Sequence, residues 1–166
     1  MEAYRILVTL FVYPSAISHA SYAMTWPELR EMRASALVEV QSHSYWHPYY
    51  KLERQRLSKF ADDKLVRMQL VKSSTMLEQQ LNETVDMLAW PFGIHDKELE
   101  RQAKAVGYIA AFTLERRPAT AFDDPLALPR YLVTNQDRDS AFGKLLGGDK
   151  GAFRARSMRS GNHILP

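Results

Sequence analysis

The chain contains no cysteine. Disulfide frameworks, thiolate metal sites and cysteine nucleophiles are therefore excluded, and the compartment is left open. No apolar run reaches the length of a membrane-spanning helix. There is no internal repeat, no low-complexity segment, and no Asn-Gly hairpin signal between candidate strands. Charge of one sign is also scarce: 22 Lys and Arg against 19 Asp and Glu leave a net +3. That excess is too small to argue for a nucleic-acid partner. Part of it sits in Lys150, Arg154, Arg156 and Arg159, which read as a solvated basic tail over 147–166. What is present is 166 residues, 46% hydrophobic and 25% charged. That make-up suits one globular domain, here 1–146, with a real core, and argues against a disordered chain.

The pattern along the chain alternates strands with helices. Ile6–Tyr13 is rich in β-formers and ends at Pro14, which reads as a buried strand. The same eight residues, with Ser18-His19-Ala20 after them, outline a secretory signal. Glu2 beside Arg5 and the shortness of the run favour the strand, although periodicity alone does not separate the two. Thr25-Trp26-Pro27-Glu28 opens a helix with a capping box. A second strand is expected over Ala36–Val40, then an irregular aromatic stretch from His43 to Tyr50. Leu65, Met68, Leu70, Val71, Met76, Leu77 and Leu81 give a long helix over about 61–81 its apolar face. A third strand is expected over Thr84–Ala89 and a helix from Asp96 to Gly107, the glycine ending it. A fourth strand (Tyr108–Leu114), a short strand (Arg130–Val133) and a helix over 139–146 complete the order. This alternation implies an α/β fold, a parallel sheet or barrel of βα units, with chemistry in the loops at the strands' carboxyl ends.

His43 and His47 are the strongest chemical signal. Two imidazoles four residues apart can converge on one divalent ion, and imidazole suits zinc, iron, cobalt or nickel. The spacing by itself is common. The context adds weight: the pair follows a strand, lies among Tyr45, Trp46, Tyr49 and Tyr50, and is closed by Pro48. His95, at another strand end, reads as a surface-loop residue or as a residue facing a groove.

The segment Val38-Glu39-Val40-Gln41-Ser42-His43-Ser44-Tyr45-Trp46-His47-Pro48 resembles the second motif of the polysaccharide deacetylase family. Leu88-Ala89-Trp90-Pro91-Phe92-Gly93 resembles its third motif, with Ala89 where many members carry arginine. The stretches Ala105–Leu114 and Asp124–Val133 resemble the passages that follow. The resemblance covers about Leu7 to Val133 and implies an incomplete (β/α) barrel. It implies that His43 and His47 ligate a divalent metal, zinc first, beside a groove lined by Tyr45, Trp46, Trp90, Pro91, Phe92 and Gly93. It further implies hydrolysis of acetamide groups on an N-acetylated polysaccharide or oligosaccharide, and an extracytoplasmic setting.

The family's first motif, Thr-Phe-Asp-Asp-Gly, has no counterpart in the chain. It supplies the general base and the third metal ligand, and its expected place is upstream of Met1. Asp62-Asp63 and Asp123-Asp124 stand in the wrong order along the chain and read as solvated surface. Arg130, as a helper to a carboxylate or to substrate, and His163, as the late catalytic histidine, are the remaining catalytic candidates. The motif around His163 departs from the family's. Loss of the carboxylates implies weak metal binding and little hydrolysis. The missing strand implies an exposed edge that invites pairing with another copy of the chain. A non-catalytic glycan-binding remnant of the same fold, or an unrelated α/β domain with a surface histidine pair, are the alternatives.

Overall fold

A computed structural model describes residues 5–138 and 140–147. The expected basic tail, Gly147 apart, and His163 with it, lie outside the described residues. Four strands form one parallel sheet in chain order: β1 (Val8–Val12), β2 (Val38–Ser42), β3 (Met87–Ala89) and β4 (Ala110–Phe112). Helices α1 (Trp26–Ala34), α2 (Tyr50–Arg56), α3 (Lys59–Leu81) and α4 (Lys97–Val106) make the crossovers, and α5 (Ser140–Gly147) follows. No described helix is long and apolar enough to cross a membrane.

Local chemistry sets the helix ends where the sequence places them. Thr25 caps α1 reciprocally with Glu28: the Thr25 N–H donates to Glu28 Oε2 at 2.7 Å, and the Glu28 N–H to Thr25 Oγ1 at 3.4 Å. Asp96 caps α4 by accepting from the N–H groups of Glu98 and Leu99, and Gly107 leaves it at φ +113°. The core joins Leu29 of α1, Val38 and Val40 of β2, Val66, Leu70 and Leu77 of α3, Leu88 of β3 and Leu99 of α4.

Several expected boundaries move. β1 is an edge strand, so only Val12 is buried and its other residues are half-covered. β2 begins two residues late because Ala36 turns the chain at φ +56°, and it runs on through Gln41 and Ser42. The strand expected over Arg130–Val133 does not form. The sheet instead ends in a single bridge, Phe112 to Leu128, where the Leu128 N–H donates to the Ala111 carbonyl and the Thr113 N–H to the Leu128 carbonyl, each at 2.8 Å. Pro129 then has no N–H to continue the ladder. The Arg130 guanidinium takes over, its Nε donating to the Thr113 carbonyl at 2.9 Å. Helix α2 was not expected at all: its seven residues carry four charges and no apolar period.

β2 and β3 meet at one register pair, Ser42 with Leu88. A side chain makes up for the missing ladder. Gln41 is buried, and its Oε1 accepts from the N–H groups of Asp86 (3.1 Å) and Met87 (2.9 Å). Gln41→Leu leaves both donors without that acceptor and should cost about 1–3 kcal/mol. Urea unfolding measures it; an unchanged midpoint means that Gln41 does not join the two strands.

Candidate metal and substrate site

The loops that leave the carboxyl ends of β1, β2 and β3 meet at one place. The β1–β2 ladder runs up to the site itself, since the His43 N–H donates to the Val12 carbonyl at 2.9 Å. Beyond it the chain turns sharply, with Ser44 at φ +64° and His47 at φ +66°. After β3 the tight turn Pro91–Gly93 places Phe92 at φ +55° and Gly93 at φ +68°. Three of these four left-handed residues carry side chains, a conformation that persists only where surrounding structure enforces it.

The structure brings His43 and His47 together, with ring centroids 4.6 Å apart and the rings edge to face. His43 Nδ1 lies 2.6 Å from the Ala89 carbonyl, which can only accept. The proton is therefore on Nδ1, and Nε2 keeps its lone pair. No described residue hydrogen-bonds that Nε2. Burial pushes His43 down to about 4, against the pull of the Ala89 bond, and the nearby His47 and Arg130 lower it further. Burial also lowers His47, with a hydrogen bond to its own backbone working the other way. Both rings are thus held neutral near pH 7, the state in which imidazole ligates metal. Two neutral imidazoles are the donor type that a divalent cation takes. Among the described residues, no cluster of three His, Cys, Asp or Glu side chains completes a metal site.

The aromatic surroundings differ from the expected set. Phe92 stands edge-on to His47 at 4.5 Å, Tyr49 lies 5.0 Å from Phe92, and Tyr13 lies 5.6 Å from His47 and 6.5 Å from His43. Tyr13 is new to the site, and Tyr49, noted beside the pair in the sequence, is not among the expected groove residues. Tyr13 was legible in principle: the register Val12 to Ser42 puts it beside His43. Trp90 is no groove residue. It is fully buried against Tyr50, and its indole N–H donates to the Leu126 carbonyl at 2.9 Å. Pro91 is buried with it. Tyr45 stacks under Lys72 at 4.0 Å, and its N–H and that of Trp46 both donate to Gln69 Oε1 of α3. Trp46 is exposed, edge-on to Tyr45. Gly93 is half-buried, and a Cβ there would meet Leu114 at 2.8 Å.

The remaining candidates separate clearly. Arg130 is half-buried, lies 5.6 Å over the Phe11 ring, and has no ion pair among the described residues. It is a fixed positive charge that acts on His43. His95 donates from Nδ1 to the buried Glu100 at 2.9 Å, so it stitches the loop to α4. The acidic pairs are not idle surface. Asp62 is buried, 3.0 Å from Arg54, and Asp63 accepts from Gln102 at 3.0 Å. Asp123 binds Arg117 at 2.5 Å, which holds its carboxyl well below the usual range, and Asp124 caps the turn at Leu126 and meets Lys97 at 2.9 Å.

A protein-family model described as polysaccharide deacetylase matches residues 1–111. The poly-beta-1,6-N-acetyl-D-glucosamine N-deacetylase of Staphylococcus epidermidis is 26% identical over 141 residues, 81% of this chain and 48% of that protein. A Streptococcus pyogenes deacetylase solved in complex with acetate superposes with a TM-score of 0.73 at 20% identity, covering 85% of this chain and 59% of its own. A pseudoenzyme of family CE4 from Bacillus anthracis superposes at 0.54 with 23% identity, over 70% of this chain and 36% of its own. The chain thus spans about half the length of the curated relatives it matches.

Two outcomes follow from the geometry. The folded-state value of His43 lies below its ordinary 6.5. Its contribution to stability is therefore intact above about pH 6.5 and is lost as pH falls toward 4, because the unfolded imidazole takes its proton first. Urea unfolding across that range should show the fall, and His43→Gln should flatten it; an equally steep slope in the variant assigns the effect elsewhere. Gly93→Ala combines a disfavoured left-handed φ with a clash against Leu114 and should cost about 1–3 kcal/mol, read as a lower unfolding midpoint.

Proposed function

This chain belongs to the polysaccharide deacetylase family, and we propose that it forms the metal-binding part of a site that removes acetyl groups from N-acetylated polysaccharide. A β-1,6-linked N-acetylglucosamine polymer is the first substrate to test, from the names of the relatives. The observation that carries the reading is the His43–Ala89 hydrogen bond of 2.6 Å, which fixes one imidazole tautomer 4.6 Å from a second neutral imidazole. His43 and His47 would hold the cation, zinc first, since two imidazole donors suit it. When bound, such a cation polarises the acetamide carbonyl and makes water a better nucleophile. The chain's own residues surround the pair. Tyr13, Tyr49 and Phe92 form an aromatic wall against which a sugar ring can pack. Arg130 offers its charge to an anionic neighbour, either a carboxylate base or the developing oxyanion.

A proton acceptor for the attacking water is the missing element: among the described residues no aspartate or glutamate joins the histidine pair. We therefore expect hydrolysis by these 166 residues alone to be slow. The same observation favours a second reading, a glycan-binding member without catalysis, and a pseudoenzyme of similar fold lends it support. Zinc or cobalt titration should show one bound ion that is lost in both His43→Ala and His47→Ala. Acetate release from N-acetylglucosamine oligomers should stay far below that of full-length relatives. Binding that survives both substitutions rejects the metal assignment, and release at a relative's rate rejects the expected impairment.

A further inference from the structure

The loop that presents the histidines is held from beneath by polar side chains of a helix whose face otherwise reads as apolar. On α3 the buried positions are Val66, Gln69, Leu70, Ser73 and Leu77, with Asp62 before them. Gln69 and Ser73 are fully buried in the midst of that stripe. Polar groups survive such burial only where they are hydrogen-bonded. The Gln69 amide nitrogen meets Met68 Sδ at 3.9 Å, while Gln69 Oε1 and Ser73 Oγ reach the end of β2 and the histidine loop. Gln69 Oε1 accepts from two successive N–H groups, those of Tyr45 and Trp46, at 3.1 Å each. Ser73 Oγ bonds Ser42 Oγ at 2.8 Å and donates to the Ser44 carbonyl at 3.1 Å. Ser44 Oγ in turn meets the buried Tyr50 hydroxyl at 3.0 Å. Every residue from Ser42 to Trp46 except His43 is thereby tied to α3 or to the start of α2. His43 is fixed separately by Ala89.

The geometry of the loop explains why such ties are needed. Ser44 and His47 both adopt left-handed backbone, which side-chain-bearing residues avoid. Between them the N–H groups of Tyr45 and Trp46 converge on one point, a concavity of backbone donors that needs an acceptor. Gln69 fills it with a neutral oxygen. Without it two N–H groups would be left inside the protein, and the loop would relax toward ordinary backbone, carrying His47 away from His43.

We infer that Gln69, supported by Ser73, is the positioning residue that sets the distance between His43 and His47, and so the affinity of the histidine pair for a divalent cation. The inference rests on the metal reading only for its second consequence. The first, the placement of the rings, concerns the metal-free chain.

The test uses Gln69→Leu, Gln69→Glu and Leu77→Ala in the complete chain. Leu77 is equally buried on the same face, farther along the helix, and its truncation lowers stability without touching a loop hydrogen bond. In the metal-free state, imidazole and Phe92 resonances report the contact between His47 and Phe92. Gln69→Leu should erase the ring-current shift at His47, Gln69→Glu should restore it by returning an acceptor, and Leu77→Ala should preserve it. In cobalt titrations, Gln69→Leu should weaken binding about 10- to 100-fold, while Leu77→Ala keeps the affinity of the unaltered chain. The inference is overturned if Gln69→Leu leaves the His47 signals as they were, or if Leu77→Ala disturbs them as much. Absence of cobalt binding by the unaltered chain would reject the metal reading alone, and the metal-free signals would still decide the role of Gln69.

Discussion

The hydrogen bond from His43 to the Ala89 carbonyl couples two strand ends that are far apart in sequence. It does so where the backbone ladder between β2 and β3 is thinnest, a single register pair. A ligand imidazole is normally oriented by a partner on its other nitrogen, and here that partner is backbone rather than a side chain. The orientation therefore depends on the sheet being assembled, and the sheet at this point depends on Gln41 and on the histidine itself. Fold and site are parts of one arrangement of hydrogen bonds.

Charge around the pair is as informative as its geometry. Two neutral imidazoles and one half-buried guanidinium make a site that is positive overall. Several carboxylates have other occupations: Asp62 answers Arg54, Asp96 caps α4, Glu100 answers His95 and Lys97, and Asp123 answers Arg117. A carboxylate that joins the histidines would be welcomed by Arg130, which has no ion pair of its own among the described residues.

The alternation of strands and helices was legible in the sequence because β-branched runs and helical periods are strong local signals, and helix ends marked by Thr25, Asp96 and Gly107 fall where capping chemistry puts them. The histidine pair was legible through its spacing and its motif. Other features were not, each for a physical reason. α2 has no apolar period, because Tyr50 and the ion pair of Arg54 anchor it instead. The strand expected after Leu128 was stopped by Pro129 and replaced by a side-chain bond from Arg130. Trp90 was expected in the groove lining from its motif, yet its ring is fully buried against Tyr50. Gln69 and Ser73 were hidden in an apolar helix face. Polar residues spaced four apart within such a face were the available clue.

The left-handed residues at the site carry one more implication. Their shape is imposed by α3, by Leu114 and by the neighbouring strand, not by local preference. A short synthetic peptide spanning Ser42 to Pro48 would possess both imidazoles and still lack their arrangement. It would wander through extended conformers in which the rings rarely meet. Grafting this motif onto an unrelated scaffold would therefore require transplanting the floor beneath it along with the two histidines.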